Sequence, residues 1–434
     1  VNPATIGVVA IAVMLALFFT RMPVAYAMSL VGFLGFSHLR SGSAGLNLLA
    51  RDIYDVFSSY GLTIIPLFIL MGQVAFNTGI SRRLYDTAYK FLGSIRGGLA
   101  MATVCACTAF GAVCGSSPAT AATMATVGLP EMKRYGYGEE LASGCVAAGG
   151  GLGMLMPPSV VLIVYGILTQ QSIGALFMAG VLPAFFITCW FVLAIAIYCA
   201  FLPKQGPKGE RFTWRQKVVS LKQTGDTLVV FFIVMGGLFW GLFTPTEAGA
   251  VGAFSVILVA LFNRRLTWVG FVNSLFETLR TSCMVLLLVA GAVIFGHFLA
   301  LTRIPFDIAH WVGGMDLPAP AVVGMILLVY LIGGCFIDAL ALIMLTIPIF
   351  YPIVMDLGYD PIWFGVIIVL VTQMGVITPP VGINVYVVNG IDKTIPLEKV
   401  FKGVLPLLAA LIVGTALIVV FPYIALWLPR LMYP

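Results

Sequence analysis

Stretches of about 20 apolar residues, the length a helix needs to cross a lipid bilayer, follow one another along nearly the whole chain. They run at about 4–20, 23–38, 58–78, 140–170, 174–202, 226–243, 247–262, 281–301, 361–390 and 403–429. Only 9% of the 434 residues are charged, against the roughly one quarter that a water-facing surface needs. Lipid tolerates only helices and closed barrels as spanning structures, because each backbone N–H and C=O must be satisfied internally. Runs of this length therefore predict an all-α polytopic membrane protein. The first run, Thr5 to Phe19, has no basic segment before it and leads straight into another, so it reads as a membrane helix and not as a signal peptide.

Two further apolar stretches, at about 98–128 and 318–349, are interrupted at their centres. The breaks are Gly115-Ser116-Ser117-Pro118 and Gly333-Gly334-Cys335-Phe336-Ile337-Asp338. Each stretch is either one long span or a hairpin that enters the membrane and returns on the same side, and basic residues decide between the two. With the N-terminus outside and both stretches as hairpins, 19 of the 23 Lys and Arg residues, Arg21 among them, fall on the inner side. Only Arg40, Arg51, Arg303 and Arg430 fall outside. A full crossing at either stretch would invert everything after it and erase that asymmetry. The expected topology is about ten crossings plus two re-entrant helical hairpins, with both termini on the periplasmic side of a bacterial inner membrane. The net charge of +6 thus reflects loop orientation, and the basic residues form no nucleic-acid patch.

The segment 203–225 is the one long hydrophilic stretch, and it reads as a helical cytoplasmic connector with Trp214 at the membrane face. It separates two halves, 1–202 and 226–434, that repeat at an offset of 222 positions. Gly111 meets Gly333, Pro130 meets Pro352, and Gly136-Tyr137 meets Gly358-Tyr359. Gly153 meets Gly375, and Pro157-Pro158 meets Pro379-Pro380. Five crossings per half, an odd number, turn the second half upside down. An inverted repeat of this kind is the architecture of alternating-access carriers.

Each half carries two matching breaks. One is the hairpin tip. The other is an unwound helix, running from Gly149 through Gly153 to Pro158 in the span 140–170 and from Gly375 to Pro380 in the span 361–390. Proline withholds a donor and glycine admits unusual dihedrals, so both free carbonyls from the helical ladder. Free carbonyls with Ser and Thr hydroxyls suit sodium, and half-helix N-termini suit a carboxylate. Two sodium sites are expected. The first draws on Ser116 or Ser117 with the carbonyls of Gly153, Met156 and Pro158. The second draws on Gly334, Cys335, Gly375 and Thr378. Gly115, Thr120, Asp338 and Asn384 are further substrate or ion candidates, and Asp338 stands out as an acid within a membrane stretch. Small residues in membrane helices also serve plain packing, which is the competing explanation for each glycine taken singly. Glu247, in Thr244-Pro245-Thr246-Glu247, reads as a helix cap. His297 and His310 have no acidic partner at helical spacing and read as structural. The eight cysteines lie in apolar stretches without metal-ligand spacing and read as buried thiols, so no transition metal is expected.

Several signatures in order carry a resemblance. Gly115 to Thr123, Leu129-Pro130-Glu131-Met132-Lys133-Arg134-Tyr135-Gly136-Tyr137, Pro157-Pro158-Ser159 with Tyr165-Gly166-Ile167, Phe243 to Ala248, and Ile377-Thr378-Pro379-Pro380-Val381-Gly382 resemble the large membrane subunit of tripartite ATP-independent periplasmic (TRAP) transporters. The resemblance covers essentially the whole chain. It implies an ion-transporter-type elevator fold, sodium-driven uptake of an organic acid, a small four-helix membrane subunit and a periplasmic substrate-binding protein. No small-subunit sequence precedes Val1, which implies that this partner is a separate chain. Where the family has Ser-Ser-Ala this chain has Ser117-Pro118, a stiffer tip with the same ligand oxygens. A stand-alone sodium/dicarboxylate carrier of the related fold is the alternative. An intramembrane enzyme or a channel is a more distant one, since intramembrane acids and histidines are scarce.

Overall fold

A computed structural model describes residues 2–20, 22–313 and 317–432. Arg21 and Val1 lie outside the described residues, as does the side chain of His310. The chain forms α1 (Pro3–Phe19), α2 (Val24–Leu39), α3 (Gly42–Ser58), α4 (Ile64–Asn77), α5 (Ile80–Leu92), α6 (Gly98–Cys114) and α7 (Ser117–Arg134). Then follow α8 (Glu139–Leu155), α9 (Val160–Thr169), α10 (Ile173–Phe201), α11 (Trp214–Phe239), α12 (Pro245–Phe262), α13 (Trp268–Thr302) and α14 (Ile304–Gly313). The last six are α15 (Ala319–Gly334), α16 (Ala339–Asp356), α17 (Pro361–Gly375), α18 (Ile383–Ile391), α19 (Leu397–Val420) and α20 (Tyr423–Met432).

Among the described residues seven helical segments are long and apolar enough to cross a membrane. An eighth qualifies if bent α11 is one span, and five more apolar helices are shorter. At about 1.5 Å per residue the 35 residues of α13 extend well beyond the ~30 Å of hydrocarbon.

Both interrupted stretches fold as two helices joined by a short tip. Gly115 turns the first with φ of 65°, a left-handed value that costs glycine little, and Pro118 lies in the first turn of α7, where its missing N–H is no loss. In the second, the Asp338 carboxylate caps α16 by accepting from the Leu340 N–H at 3.1 Å. The two returning helices, α7 and α16, start and stop 222 positions apart, and both end on a left-handed glycine, Gly136 and Gly358. The following tyrosine N–H then reaches back to Met132 O (2.9 Å) or Val354 O (3.3 Å). Pro157-Pro158 and Pro379-Pro380 are both cis.

Four expectations change. Residues 42–58, left between the runs 23–38 and 58–78, form α3, whose polar side carries Arg51 and Asp55 while Asp52 and Val56 are buried. The connector turns at 203–206 and is helical only from Trp214, where α11 begins; Thr213 and Gln216 form its capping box. The run at 403–429 breaks at Phe421-Pro422. Finally, Gly149 to Gly153 are helical within α8, and the break is confined to residues 156–159. Packing explains these glycines. A methyl group on Gly150 would stand 2.6 Å from Ala121 Cβ, and one on Gly151 2.5 Å from Gln373 Cγ. The Glu247 cap forms as expected, with Thr244 donating its N–H at 2.8 Å and its hydroxyl at 2.9 Å.

Helices α1–α4 and α11–α13 pack on one another, with α13 lying against α2, α3 and α4 and α12 against α4 and α11. A second body joins α6–α9 with α15–α18. Here the halves interlock: α18 packs on α7 and α8, while α9 packs on α16. The connector ties the base of the first hairpin, with Gly97 N–H donating to Gly206 O (2.9 Å) and Gly138 N–H to Gln205 O (3.0 Å).

Candidate substrate and ion site

The interlock brings four breaks in the chain to one place. A cavity of about 330 Å³ is walled by the first tip (Cys114 to Ala119), the second tip (Asp338 to Leu340), Met154 beside one helix break and Val376 beside the other. Ile69, Gly72 and Gln73 of α4 and Thr281, Met284 and Val285 of α13 close the far wall. The cavity thus lies between the hairpin-bearing body and the other helices.

At the first tip, Gly115, Ser116 and Ser117 all line the cavity, but their side chains serve different ends. Ser116 is half-buried at the N-cap of α7, and its hydroxyl caps nothing. Ser117 is buried, and its hydroxyl is tied to Asn384 of α18, whose Nδ2 donates to Ser117 Oγ at 2.8 Å and to Ala147 O at 3.0 Å. Asn384 therefore belongs with the first tip and not with the second, because α18 crosses over to it. Thr120, one turn into α7, is fully buried, and its Oγ1 has no hydrogen-bond partner. That oxygen lies directly over Gly153 of α8, where a methyl group would overlap it and would stand 2.9 Å from the Ser116 carbonyl oxygen. Pro157 and Pro158 withhold the N–H groups that would cover the carbonyls of Gly153 and Met154. The Ser159 hydroxyl takes over at Met154 O, which leaves Gly153 O released. Pro158 O approaches Gly115, so Gly115, Ser116, Thr120, Gly153 and Pro158 form one oxygen-rich cluster; Met156 is buried in the break beside it.

The second cluster is built the same way with different side chains. Gly334 and Gly375 touch backbone to backbone: a methyl on Gly375 would stand 2.5 Å from Gly334 Cα and 3.0 Å from Cys335 N. Cys335 donates its thiol to Leu331 O at 3.2 Å. Thr378 lies in the break, its hydroxyl bonded to Met374 O at 2.6 Å with the oxygen's remaining lone pair open. Asp338 stands 222 positions from Ser116 and is exposed to the cavity while it caps α16. The two tips consequently differ in charge: α16 presents a helix N-terminus already neutralised by its own carboxylate, whereas α7 presents an uncapped one.

Sequence reading missed Gln373. It is fully buried, and both its amide oxygen and its nitrogen lack a partner. It lies against Gly151, the residue 222 positions before it. A single amide inside the apolar sequence of α17 was the available signal. The unpartnered Thr120 hydroxyl beside the released Gly153 carbonyl is an oxygen set that a small hard cation would satisfy, and the Gln373 amide oxygen is a further buried acceptor without a partner.

Residues 11–424 match the family described as the tripartite ATP-independent periplasmic transporter, DctM component. The C4-dicarboxylate TRAP transporter large permease protein DctM of Pseudomonas aeruginosa is 37% identical over 383 residues, covering 88% of this chain and 89% of that protein. The sialic acid TRAP transporter large permease protein SiaM of Vibrio cholerae is 35% identical, covering 96% and 97%. The isethionate TRAP transporter permease protein DctMQ of Oleidesulfovibrio alaskensis is 36% identical over 86% of this chain, and the match spans 58% of that longer protein. Among solved structures, the YdaH transporter of Alcanivorax borkumensis superposes with a TM-score of 0.63 at 13% identity, covering 88% of this chain and 90% of that one. That likeness is one of fold.

Proposed function

This chain belongs to the DctM family of TRAP transporters, membrane permeases and not enzymes, and we propose that it takes up a small organic acid by sodium-coupled secondary active transport. The observation that carries the reading is the convergence of two hairpin tips and two helix breaks on one cavity. The relatives named above handle C4-dicarboxylates, sialic acid and isethionate, all organic anions. In this reading the acid's carboxylate meets the uncapped N-terminus of α7 at Ser116 and Ser117, where free N–H groups and the helix dipole favour negative charge. Asp338 keeps the anion off the second tip and contributes instead to cation binding.

Sodium is proposed at two places. The first uses the oxygens of Ser116, Thr120, Gly153 and Pro158, with Met156 adjoining, and the second those around Gly334, Cys335, Gly375 and Thr378. A cation at either one draws a tip onto a broken helix and completes the wall that the acid binds, so each ligand raises the other's affinity. The matched bounds of α7 and α16 and the contact between Gly151 and Gln373 support an inverted repeat, 1–202 and 226–434, with its axis near that contact. The body of α6–α9 and α15–α18 is proposed to slide as an elevator against α1–α4 and α11–α13, in an inner-membrane protein of ten crossings and two hairpins with both termini outside. A separate small four-helix subunit would enlarge the static part, and a periplasmic binding protein would deliver the acid. The test is a sodium titration of uptake. Thr120→Val keeps the volume and removes the oxygen, and is expected to raise the half-saturating sodium concentration at least several-fold, while Thr120→Ser restores it. An unchanged sodium dependence in the valine variant would remove the first site.

A further inference from the structure

A second cavity, of about 590 Å³, lies along the same helices that build the first, and its wall carries two polar side chains that the transport reading does not use. Val160 and Val161 of α9 face the central cavity and Leu168 faces this one. On α16 the residues are Asp338 to Leu340 and then Pro348, and on α13 Thr281 to Val285 and then Gly296, His297 and Ala300. At about 1.5 Å per residue, Val285 and Ala300 are roughly 22 Å apart along α13. The two cavities thus lie at two levels of the same three helices, α9, α13 and α16.

The second end is apolar except for Arg303 and His297. Arg303 closes α13 in a left-handed conformation, φ 60°, and its exposed guanidinium has no hydrogen-bond or ion-pair partner among the described residues. Asp307, one turn on, does not line the cavity. His297 is held from behind: its Nδ1 is 2.8 Å from Oδ2 of Asp52, a carboxylate on α3 that is 4% exposed. Asp52 comes from 245 residues away, outside the helical spacing at which the sequence offers His297 no acidic partner. The carboxylate fixes Nδ1 as the donor and leaves Nε2 for the cavity. An unpaired guanidinium fork beside an oriented imidazole, in an otherwise apolar pocket, matches a carboxylate or sulfonate whose hydroxyl or second acid group reaches the ring.

We infer that this cavity binds small organic anions and is the outer station from which the acid passes along α13 to the central cavity. The inference rests on the proposed topology only for which side is outer. Anion binding itself is read without transport, by the rate at which a cysteine in the cavity is modified. Ala300→Cys is introduced into the full transporter, with the exposed Cys189 and Cys283 changed to Ser, in right-side-out vesicles of neutral phosphatidylcholine. It is treated from outside with a negatively charged sulfonatoethyl or a positively charged trimethylammonioethyl methanethiosulfonate. Each rate is taken relative to that reagent's rate with a free thiol in solution, and on that scale the anionic reagent is expected to be favoured. Arg303→Gln should lower the anion-to-cation rate ratio about 3- to 10-fold, the effect of one unit charge at some 6 Å in a partly aqueous site, while Arg303→Lys preserves it. Millimolar succinate should protect the cysteine, and less so after His297→Gln. A ratio unchanged by Arg303→Gln in a protein that keeps its elution profile overturns the site, as does modification only from the inner side. Protection by added phosphatidylglycerol but not by succinate would make the occupant a lipid headgroup and overturn the organic-anion assignment. Loss of sodium-driven uptake with the rate ratio intact would instead count against the transport reading alone.

Discussion

The tie between Ser117 and Asn384 is where the two halves of the chain join at the candidate site, and it yields a measurable coupling. Both residues are buried, Ser117 at 4% exposure and Asn384 at 0%. Removing the amide by Asn384→Ala takes away its bonds to Ser117 Oγ and to Ala147 O. At about 1 kcal/mol per net hydrogen bond, lowered toward ~0.6 in membrane interiors, the loss is about 1–2 kcal/mol. Ser117→Ala alone costs about 1 kcal/mol, because it leaves the amide short of a partner it still needs. Once either is gone, loss of the second removes nothing further from the shared bond. The double variant should therefore be more stable than the sum of singles predicts by ~0.6–1.7 kcal/mol. Thermal unfolding of the detergent-solubilised protein, followed by tryptophan fluorescence with all four proteins matched, reads the cycle. Effects adding to within ~0.3 kcal/mol, the behaviour of independent sites, would refute the claim that α18 holds the first tip. The same pair separates structure from ion binding. Because the Ser117 hydroxyl is committed to Asn384, Ser117→Ala should leave the half-saturating sodium concentration within about two-fold, far less than Thr120→Val moves it.

Three further outcomes follow from the geometry. Gly144 and Gly403 let α8 and α19 touch backbone to backbone, so Gly144→Ala should lower stability by about 1–3 kcal/mol, the usual cost of overpacking, seen as a reduced melting temperature and poor yield. Gly153→Ala drives a methyl into Thr120 Oγ1 and the Ser116 carbonyl, so sodium-dependent uptake should fall at least ten-fold while the protein still elutes as a folded species. Thr244→Ala removes the capping box at the start of α12 and should cost about 1 kcal/mol in thermal stability, with uptake parameters unchanged.

The elements readable in advance were those whose signal is local. Most apolar runs, the hairpin tips at Gly115 and Asp338, the proline breaks at Pro157 and Pro379 and the Thr244–Glu247 cap each depend on neighbours within a few positions, and the structure has them where that chemistry requires. Helix α3 escaped notice because Arg51, Asp52 and Asp55 interrupt its apolar pattern, yet only one side of it faces the protein. The glycines from Gly149 to Gly153 were read as unwound because glycine permits either outcome. Their neighbours decide, and Ala121, Gln373 and Thr120 leave room for no side chain. Three features were beyond any reading of one segment: Asn384 at the opposite tip, Asp52 behind His297, and the stranded polar atoms of Gln373 and Thr120. Each depends on which helices cross, and crossing partners far apart in sequence leave no mark in either one.

Uptake into proteoliposomes tests the proposed function most directly. The vesicles contain this chain with its small subunit, and labelled succinate, N-acetylneuraminate and isethionate are offered with cognate binding proteins, with and without an inward sodium gradient. The account predicts accumulation of at least one acid that requires both the gradient and a binding protein. Accumulation driven by sodium with no binding protein would instead describe a stand-alone carrier, and uptake indifferent to every cation gradient would contradict sodium coupling at the hairpin tips.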